Sequence, residues 1–570
     1  MRLKISKSRH TTSLYVLKST YINGKHSSKI VEKLGTCAEL KEKLNGEDPI
    51  VWAKKHIAQL NQKAKEGRQE VLLKCSPAKL IPKDEQRTFN GGYLFLQKIY
   101  YQLGLHRLCQ KLSAKYNFNF DLDSILSRLL YARIIFPASK LATLQLSKRF
   151  IEQPNFELQH IYRALDIIAE ETDFIQSSLY NNSRKLSKRN TNVLYYDCTN
   201  YYFEIEQEAG LKRYGFSKEH RPNPIVQMGL FMDGDGIPLA FSINQGNTNE
   251  QVTLLPLEKK IMRDFNLSKF IVCTDAGLSS QKNRNFNNKG ERAFITTQSI
   301  KQLKEHLMDW ALNPKGWKLF NGGETYDITE LKAQKDQNKV FYKERWINEN
   351  GLEQRLLVTY SLKYRDYQRH IRDSQLKRAK KTIDSNPGKL KKYNQNDYKR
   401  LIKKAACTNE GEIAENEQYS INTKLVAKEE MFDGFYAVCT NLEDKLPAII
   451  KVIKGRWEIE ECFRIMKSEL KARPVYLSRD NRIKAHFITC FLSLILYRYL
   501  EKKLGEKYTC SEIIHGLRDM YFFKIKGEGY IPAYTRTDFT DSLHEAFGFR
   551  TDLQIVTNRE MKKIITSTKS

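Results

Sequence analysis

The chain has 570 residues, more than one hydrophobic core organises, so about three or four structural units are expected. Hydrophobic residues at 41% and aromatics at 11% supply packed cores and exclude wholesale disorder. Lys and Arg number 96 against 66 for Asp and Glu, a formal charge of +30. A surface that positive steers polyanions toward itself, and nucleic acid is the natural partner. The competing reading is a Lys-rich genome encoding a basic but ordinary enzyme.

The N-terminus has no sustained apolar stretch of the signal-peptide kind. The most apolar segment, residues 487–496, falls short of the roughly 20 residues a bilayer span needs and reads as a buried core helix. The ten cysteines show no CxxC spacing, so neither a zinc ribbon nor a disulfide framework is supported. A reduced, cytoplasmic protein with no membrane partner is expected.

In chain order, residues 1–90 combine apolar alternation at 13–17 with a charged helical stretch at 49–70, a small mixed α/β unit. Residues 91–190 turn to helical period. Leu122, Ile125, Leu126 and Leu129 fall on one helix face. This mainly helical, basic region is a candidate DNA-binding element. At 191–300 the pattern changes to strands: 193–199, 225–232, the Asp233-Gly-Asp-Gly turn, and 237–243. A helix at 251–265, whose start Pro256 can delay, leads to strands at 270–275 and 293–297. Three hairpin-joined strands followed by helix, strand, helix, strand form the start of an RNase H-like α/β core. Residues 301–440 are polar and basic, with a strand at 356–360 and charge runs at 377–381 and 389–392 that read first as solvated faces. Long helices at 446–470 and 482–503 fall mainly within the closing part of the core, 441–510, and 511–570 form a mixed tail region.

Asp197 and Asp275 each follow an apolar strand, 275 − 197 = 78 residues apart. An Asp in that position is often a turn residue or helix cap. On the first and fourth strands of this order, however, two carboxylates can converge on divalent cations, and all-oxygen sites suit Mg²⁺ or Mn²⁺. A third acid is needed, and Glu458, Glu460, Glu461 and Glu469 lie together on one helical segment. Glu460 shares a stripe with Arg456 and Lys467, four residues before it and seven after. Ordinary salt-bridged helices show the same pattern, so periodicity leaves the choice open. His220 reads as a solvated loop residue, and Asp233 and Asp235 as turn formers. Tyr201 and Tyr202 could stack on an unpaired base, with sheet packing the simpler role.

Arg456-x3-Glu460-x6-Lys467 resembles the Y-x2-R-x3-E-x6-K signature of bacterial insertion-sequence transposases of the IS-four-like group. Tyr195-Tyr-Asp197-Cys-Thr is similar to their first catalytic block and Val272-Cys-Thr-Asp275-Ala-Gly to their second. Residues 215–223, 236–241 and 482–486 resemble the same group, and the likeness runs in order over about residues 90–510. The signature tyrosine position is Ile453, a departure that a neighbour such as Trp457 could offset. The resemblance implies a DDE-type transposase with Asp197, Asp275 and Glu460 as catalytic metal ligands for two Mg²⁺ or Mn²⁺ ions. It implies DNA contacts from Arg456, Lys467 and Trp457, with the transposon-end inverted repeats and target DNA as partners. It also implies a homodimeric synaptic complex and a bacterial, nucleoid-associated setting. The 460 − 275 = 185 residues between the last two acids then hold an insertion in the catalytic fold, β-rich and DNA-clamping in relatives. A nuclease or resolvase without strand transfer, and a catalytically silent DNA-binding protein, are the alternatives.

Overall fold

The computed structural model describes residues 1–8, 11–22, 25–44, 47–66, 76–320, 322–385, 397–407 and 413–570. The charge run at 389–392 and the end of the stretch at 49–70 lie outside them. The chain divides into two compact units, Met1–Gln86 and Arg87–Ser570.

The first unit is an antiparallel meander of strands Arg2–Lys7, Thr12–Ile22 and Lys25–Thr36, followed by helices Cys37–Lys43 and Pro49–Glu66. Thr36 ends the last strand and starts the first helix. Its hydroxyl accepts from the Glu39 amide, while the Glu39 carboxylate accepts from the Thr36 amide. Leu14, Leu40 and Ala53 form the small core.

The second unit is built on a ten-stranded mixed sheet. Its strands are β1 (Val193–Tyr202), β2 (Ile225–Asp233), β3 (Pro238–Gln245), β4 (Ile271–Thr274) and β5 (Ala293–Gln298). They continue as β6 (Trp317–Leu319), β7 (Thr325–Tyr326), β8 (Phe341–Glu349), β9 (Leu352–Tyr360) and β10 (Phe435–Thr440). The spatial order is β7-β6-β8-β9-β10-β5-β4-β1-β2-β3. Strands β1, β2 and β3 pair antiparallel, and β4 and β5 then add parallel to β1. That five-strand order fits an RNase H-like transposase fold. The crossover from β3 to β4 runs through helix Leu254–Asp264, whose start is set back behind a short turn at Glu250–Val252, with Pro256 in its first turn.

The segment between β5 and β10 does not stand apart from this sheet. Strand β10 pairs antiparallel with β5, and β9, β8, β6 and β7 extend the same sheet outward. The sequence pattern exposes only the β9 run 356–360, because β8 (FYKERWINE) interleaves its buried Phe341 and Ile347 with charged residues. Helix Leu362–Ser385 carries the run 377–381, whose cations Lys377, Arg378, Lys380 and Lys381 are exposed while Ala379 is buried.

Helix Asp480–Lys503 is long and apolar enough to cross a membrane, yet nearly all of that stretch is buried inside the protein. Helices Tyr93–Gln102, Leu122–Ile135 and Leu158–Glu170 pack around it, and β3 lies against it. Its Phe487 and Phe491 meet Tyr201 and Phe241 of the sheet at ring-centroid distances of 4.8 and 4.9 Å. One continuous apolar core therefore joins the helical segment before the sheet to the sheet face that carries Asp197. The C-terminal region adds a four-stranded sheet that includes strand Thr88–Asn90.

Candidate active site

Asp197 is the fifth residue of β1, and the strand continues past it to Tyr202. The sequence pattern ends the apolar run at Asp197, and the pairing explains why both descriptions hold. On one side β2 pairs along the whole strand, Asp197 opposite Leu230. On the other side the parallel pairing with β4 stops at Tyr195↔Cys273. Two residues further along each chain, the same register puts Asp197 beside Asp275, the first residue after β4. The two carboxylates thus meet where the parallel sheet splays open, the usual place for a site in such sheets.

Asp197 accepts a 2.7 Å hydrogen bond from the Cys198 amide. Burial pushes its carboxyl up to about 6; the Lys218 ammonium opposes that rise, the neighbouring Asp275 adds to it, and Arg456 also opposes it. Asp275 caps the turn Ala276–Leu278, accepting from the Leu278 amide at 3.1 Å. It therefore fills both roles, turn cap and partner of Asp197.

The long helix expected over 446–470 is broken in three: Leu446–Gly455, Trp457–Arg464 and a π-helical turn Ile465–Glu469. The break has a physical cause in β1. The Tyr195 hydroxyl donates to the Val452 carbonyl at 2.8 Å, taking an acceptor the helix would use four residues on. A Cβ at position 455 would lie 2.2 Å from the Tyr195 hydroxyl oxygen, so only glycine fits. This contact seats the Arg456–Lys467 segment against the strand that bears Asp197.

Around the two aspartates the fold gathers cations. Lys218 donates to the Cys198 carbonyl at 2.5 Å and pairs with Glu250 at 3.1 Å. Lys467 pairs with Glu219 at 3.2 Å. Its ammonium is lowered to about 8 by burial and by Lys218, with Asp197 opposing. Arg456 lies in the field of Asp197 and also donates to Glu460 at 3.1 Å. The Glu460 side chain is 59% exposed. Trp457 is exposed beside it.

The rival acids face elsewhere. Glu458 is paired with the buried Arg498 at 2.7 Å, Glu461 with Arg464 at 2.6 Å, and Glu469 with Arg464 at 3.6 Å. Asp197, Asp275, Arg456 and Lys467 are thus brought together, and Glu460 is joined to them through Arg456. Among the described residues no three metal-ligating side chains converge closely enough to form a ready-made metal cage.

Asp233 is buried, ion-paired with Arg189, and accepts from the Asp235 and Ile237 amides of its turn. Tyr201 is fully buried in the core, while Tyr202 lies beneath the guanidinium groups of Arg221 and Arg473 at 4.9 and 5.8 Å. His220 sits in the β1–β2 connection with φ +55°. Sequence reasoning assigned no role to Lys218 or Glu250. The only signal for Lys218 was its place in the 215–223 segment.

A mixed α/β sheet of this order, with two carboxylates at its parallel opening and cations around them, defines the class: it fits the RNase H-like enzymes that act on phosphodiesters. The chain matches the transposase DDE domain family over residues 203–496, just over half its length, and belongs to that family. It is accordingly a DNA-binding transposase, an enzyme of DNA recombination. The matched span includes Asp275 and Glu460 and begins six residues after Asp197. No curated protein matches the chain. Among solved structures, it is similar to a piggyBac transposase synaptic complex with hairpin DNA, at 6% identity and TM-score 0.36, covering 85% of this chain and 88% of that one. It is also similar to a Mos1 transposase paired-end complex with left transposon end, at 12% identity and TM-score 0.13, covering 44% and 68%.

Proposed function

We propose that the protein is an IS-four-like transposase that binds the terminal inverted repeats of its own element as a homodimer. It cuts the phosphodiester at each end and joins the freed 3′-OH to target DNA, with Asp197, Asp275 and Glu460 as the catalytic carboxylates. The observation that carries this reading is the register of β1 and β4, which sets Asp197 beside Asp275 at the sheet opening.

The donor set suits hard divalent cations: its atoms are carboxylate oxygens, and a bound cation would offset the burial and the Asp275 charge that raise Asp197. The three carboxylates would hold Mg²⁺ or Mn²⁺, two ions, which supply activation of the attacking oxygen and stabilisation of the leaving one. The chain's own residues do the rest. Arg456, between Glu460 and Asp197, orients the third carboxylate toward the first. Lys467, Arg456 and the exposed Trp457 meet the DNA end, the cations on phosphate and the indole on a base or sugar. The helices within 91–190 and the strands within 301–440 would extend the grip on DNA.

Asp197→Ala, Asp275→Ala and Glu460→Ala variants that melt like the wild type test the reading on linear DNA carrying the element's ends. Each is expected to lose both cutting and joining in Mg²⁺. Retention of either activity by a folded variant removes that residue from the site. Pre-cleaved ends offered to the wild type separate the alternatives, since an enzyme that hydrolyses but never joins them is a nuclease on the same fold.

A further inference from the structure

A second cationic site lies outside the carboxylate centre. A cavity of about 250 Å³ opens between helix Lys140–Ser147 and the segment that follows the π-helical turn. Four cations line it, Arg133, Lys140, Lys471 and Arg473, together with His486, and among the described residues no carboxylate lines its wall. Tyr162 and Tyr476 complete it, Tyr476 being 73% exposed at the rim.

Lys140 is the unusual member. It is 5% exposed, and its ammonium has no hydrogen-bond partner among the described residues. Arg133, also buried, is spent on backbone carbonyls of Leu470, Lys471 and Ala138 and holds the wall together. His486 bonds the Ala472 carbonyl at 3.0 Å and is kept neutral by burial and by the two cations. Burial and Arg133 lower the Lys140 ammonium to about 7, the condition of a cation held without a counter-ion. Lys140 also opens a helix capped by Ser139, so the positive end of that helix points the same way.

The cavity is tied to the active site. Arg473 pairs with Glu219, which also pairs with Lys467. Resting on the functional reading above, we infer that this cavity seats a backbone phosphate of the bound DNA strand, with Lys140 as its buried counter-charge and Tyr162 and Tyr476 flanking the adjoining sugar and base.

The test uses the full-length protein in magnesium-free buffer and a labelled duplex of random sequence, with Kd measured across a salt series. Lys140→Met keeps the side-chain volume and removes the charge. It is expected to weaken binding about tenfold near physiological salt and to flatten the log Kd against log salt slope by about one. Unchanged affinity and slope in a Lys140→Met protein that melts like the wild type overturn the assignment. Should that variant not fold, Tyr476→Ala at the exposed rim decides: about threefold weaker binding supports the site, and wild-type binding overturns it. Inorganic phosphate provides the other arm, at ionic strength matched with chloride. If it raises the melting temperature of the wild type but not of Lys140→Met, while DNA affinity is equal in the two, the pocket belongs to free phosphate and the DNA assignment falls. A wild type whose duplex binding depends on Lys140 but which never cuts or joins element ends leaves this site standing and overturns the proposed function instead.

Discussion

At the residue scale, the decisive contrast is between neighbouring glutamates. Glu458 and Glu460 are two residues apart, yet one pairs with the buried Arg498 and the other lies 59% exposed against Arg456. Glu458 is one of two carboxylates on the buried Arg498, Glu501 being the other, so its loss weakens a buried network without stranding the charge, whereas an exposed pair contributes roughly 0–1 kcal/mol. Glu458→Gln is therefore expected to lower the denaturation midpoint clearly while leaving residual strand joining per folded molecule near wild type. Glu460→Gln should leave the midpoint nearly unchanged and abolish joining. Paired urea melts and strand-transfer assays read both, and the reverse pattern would move the third carboxylate to Glu458. This division was not legible in the sequence. The spacing to Arg456 and Lys467 selects Glu460 only through a resemblance, whereas its physical basis is the direction each side chain takes from a helix seated by Tyr195. Asp197 and Asp275 were legible because apolar strand runs announce their own ends. Lys218 was not, because a 22-residue connection between β1 and β2 has to fold back before its ammonium meets the Cys198 carbonyl.

At the element scale, helix Leu254–Asp264 covers one face of the five-strand core and carries a buried acid. Glu258 is fully buried; one carboxyl oxygen accepts from Asn287 at 3.1 Å, and the other has no hydrogen-bond partner among the described residues. Burial pushes this carboxyl up to about 7. Because the folded pKa lies above the unfolded value, the folded state holds the proton more tightly. Stability from this group is complete at acid pH and is lost as pH rises from the ordinary carboxyl range through 7. The size of the shift corresponds to about 3 kcal/mol at most. Glu258→Gln is expected to raise the urea midpoint at pH 8 and to leave it almost unchanged at pH 4.5; an equal shift at both pH values would show that proton linkage is not the cause. The same helix shows what pattern reading can deliver. Its apolar face and the delay at Pro256 are written locally, but the break at Gly455 depends on a tyrosine 260 positions earlier in the chain. Strand β8 escaped notice for a related reason, since it joins the sheet while alternating charge with apolar residues.

At the scale of the whole molecule, the formal charge of +30 admits two readings: a basic protein of no particular partner, or a surface shaped for DNA. Family membership favours the second, and salt dependence measures how much of the charge is used. Lys467 and Arg473 share Glu219, Arg456 lies in the field of Asp197, and Arg473 lines the same cavity as Lys140, so a strand bound at the carboxylates would engage Arg456, Lys467, Arg473 and Lys140 together. Each neutralised phosphate on duplex DNA contributes about −0.9 to the slope of log K against log salt, so these four contacts alone predict roughly −3 to −4. Further cations, such as the exposed Lys377, Arg378, Lys380 and Lys381, would steepen it. The expected outcome for wild-type protein on element-end DNA is therefore a slope of about −4 or steeper. A combined Arg456→Gln and Lys467→Gln variant should reduce its magnitude by about two. A wild-type slope flatter than about −2 would mean that the positive charge is mostly solvated and that DNA is held at far fewer phosphates than the connected cations allow.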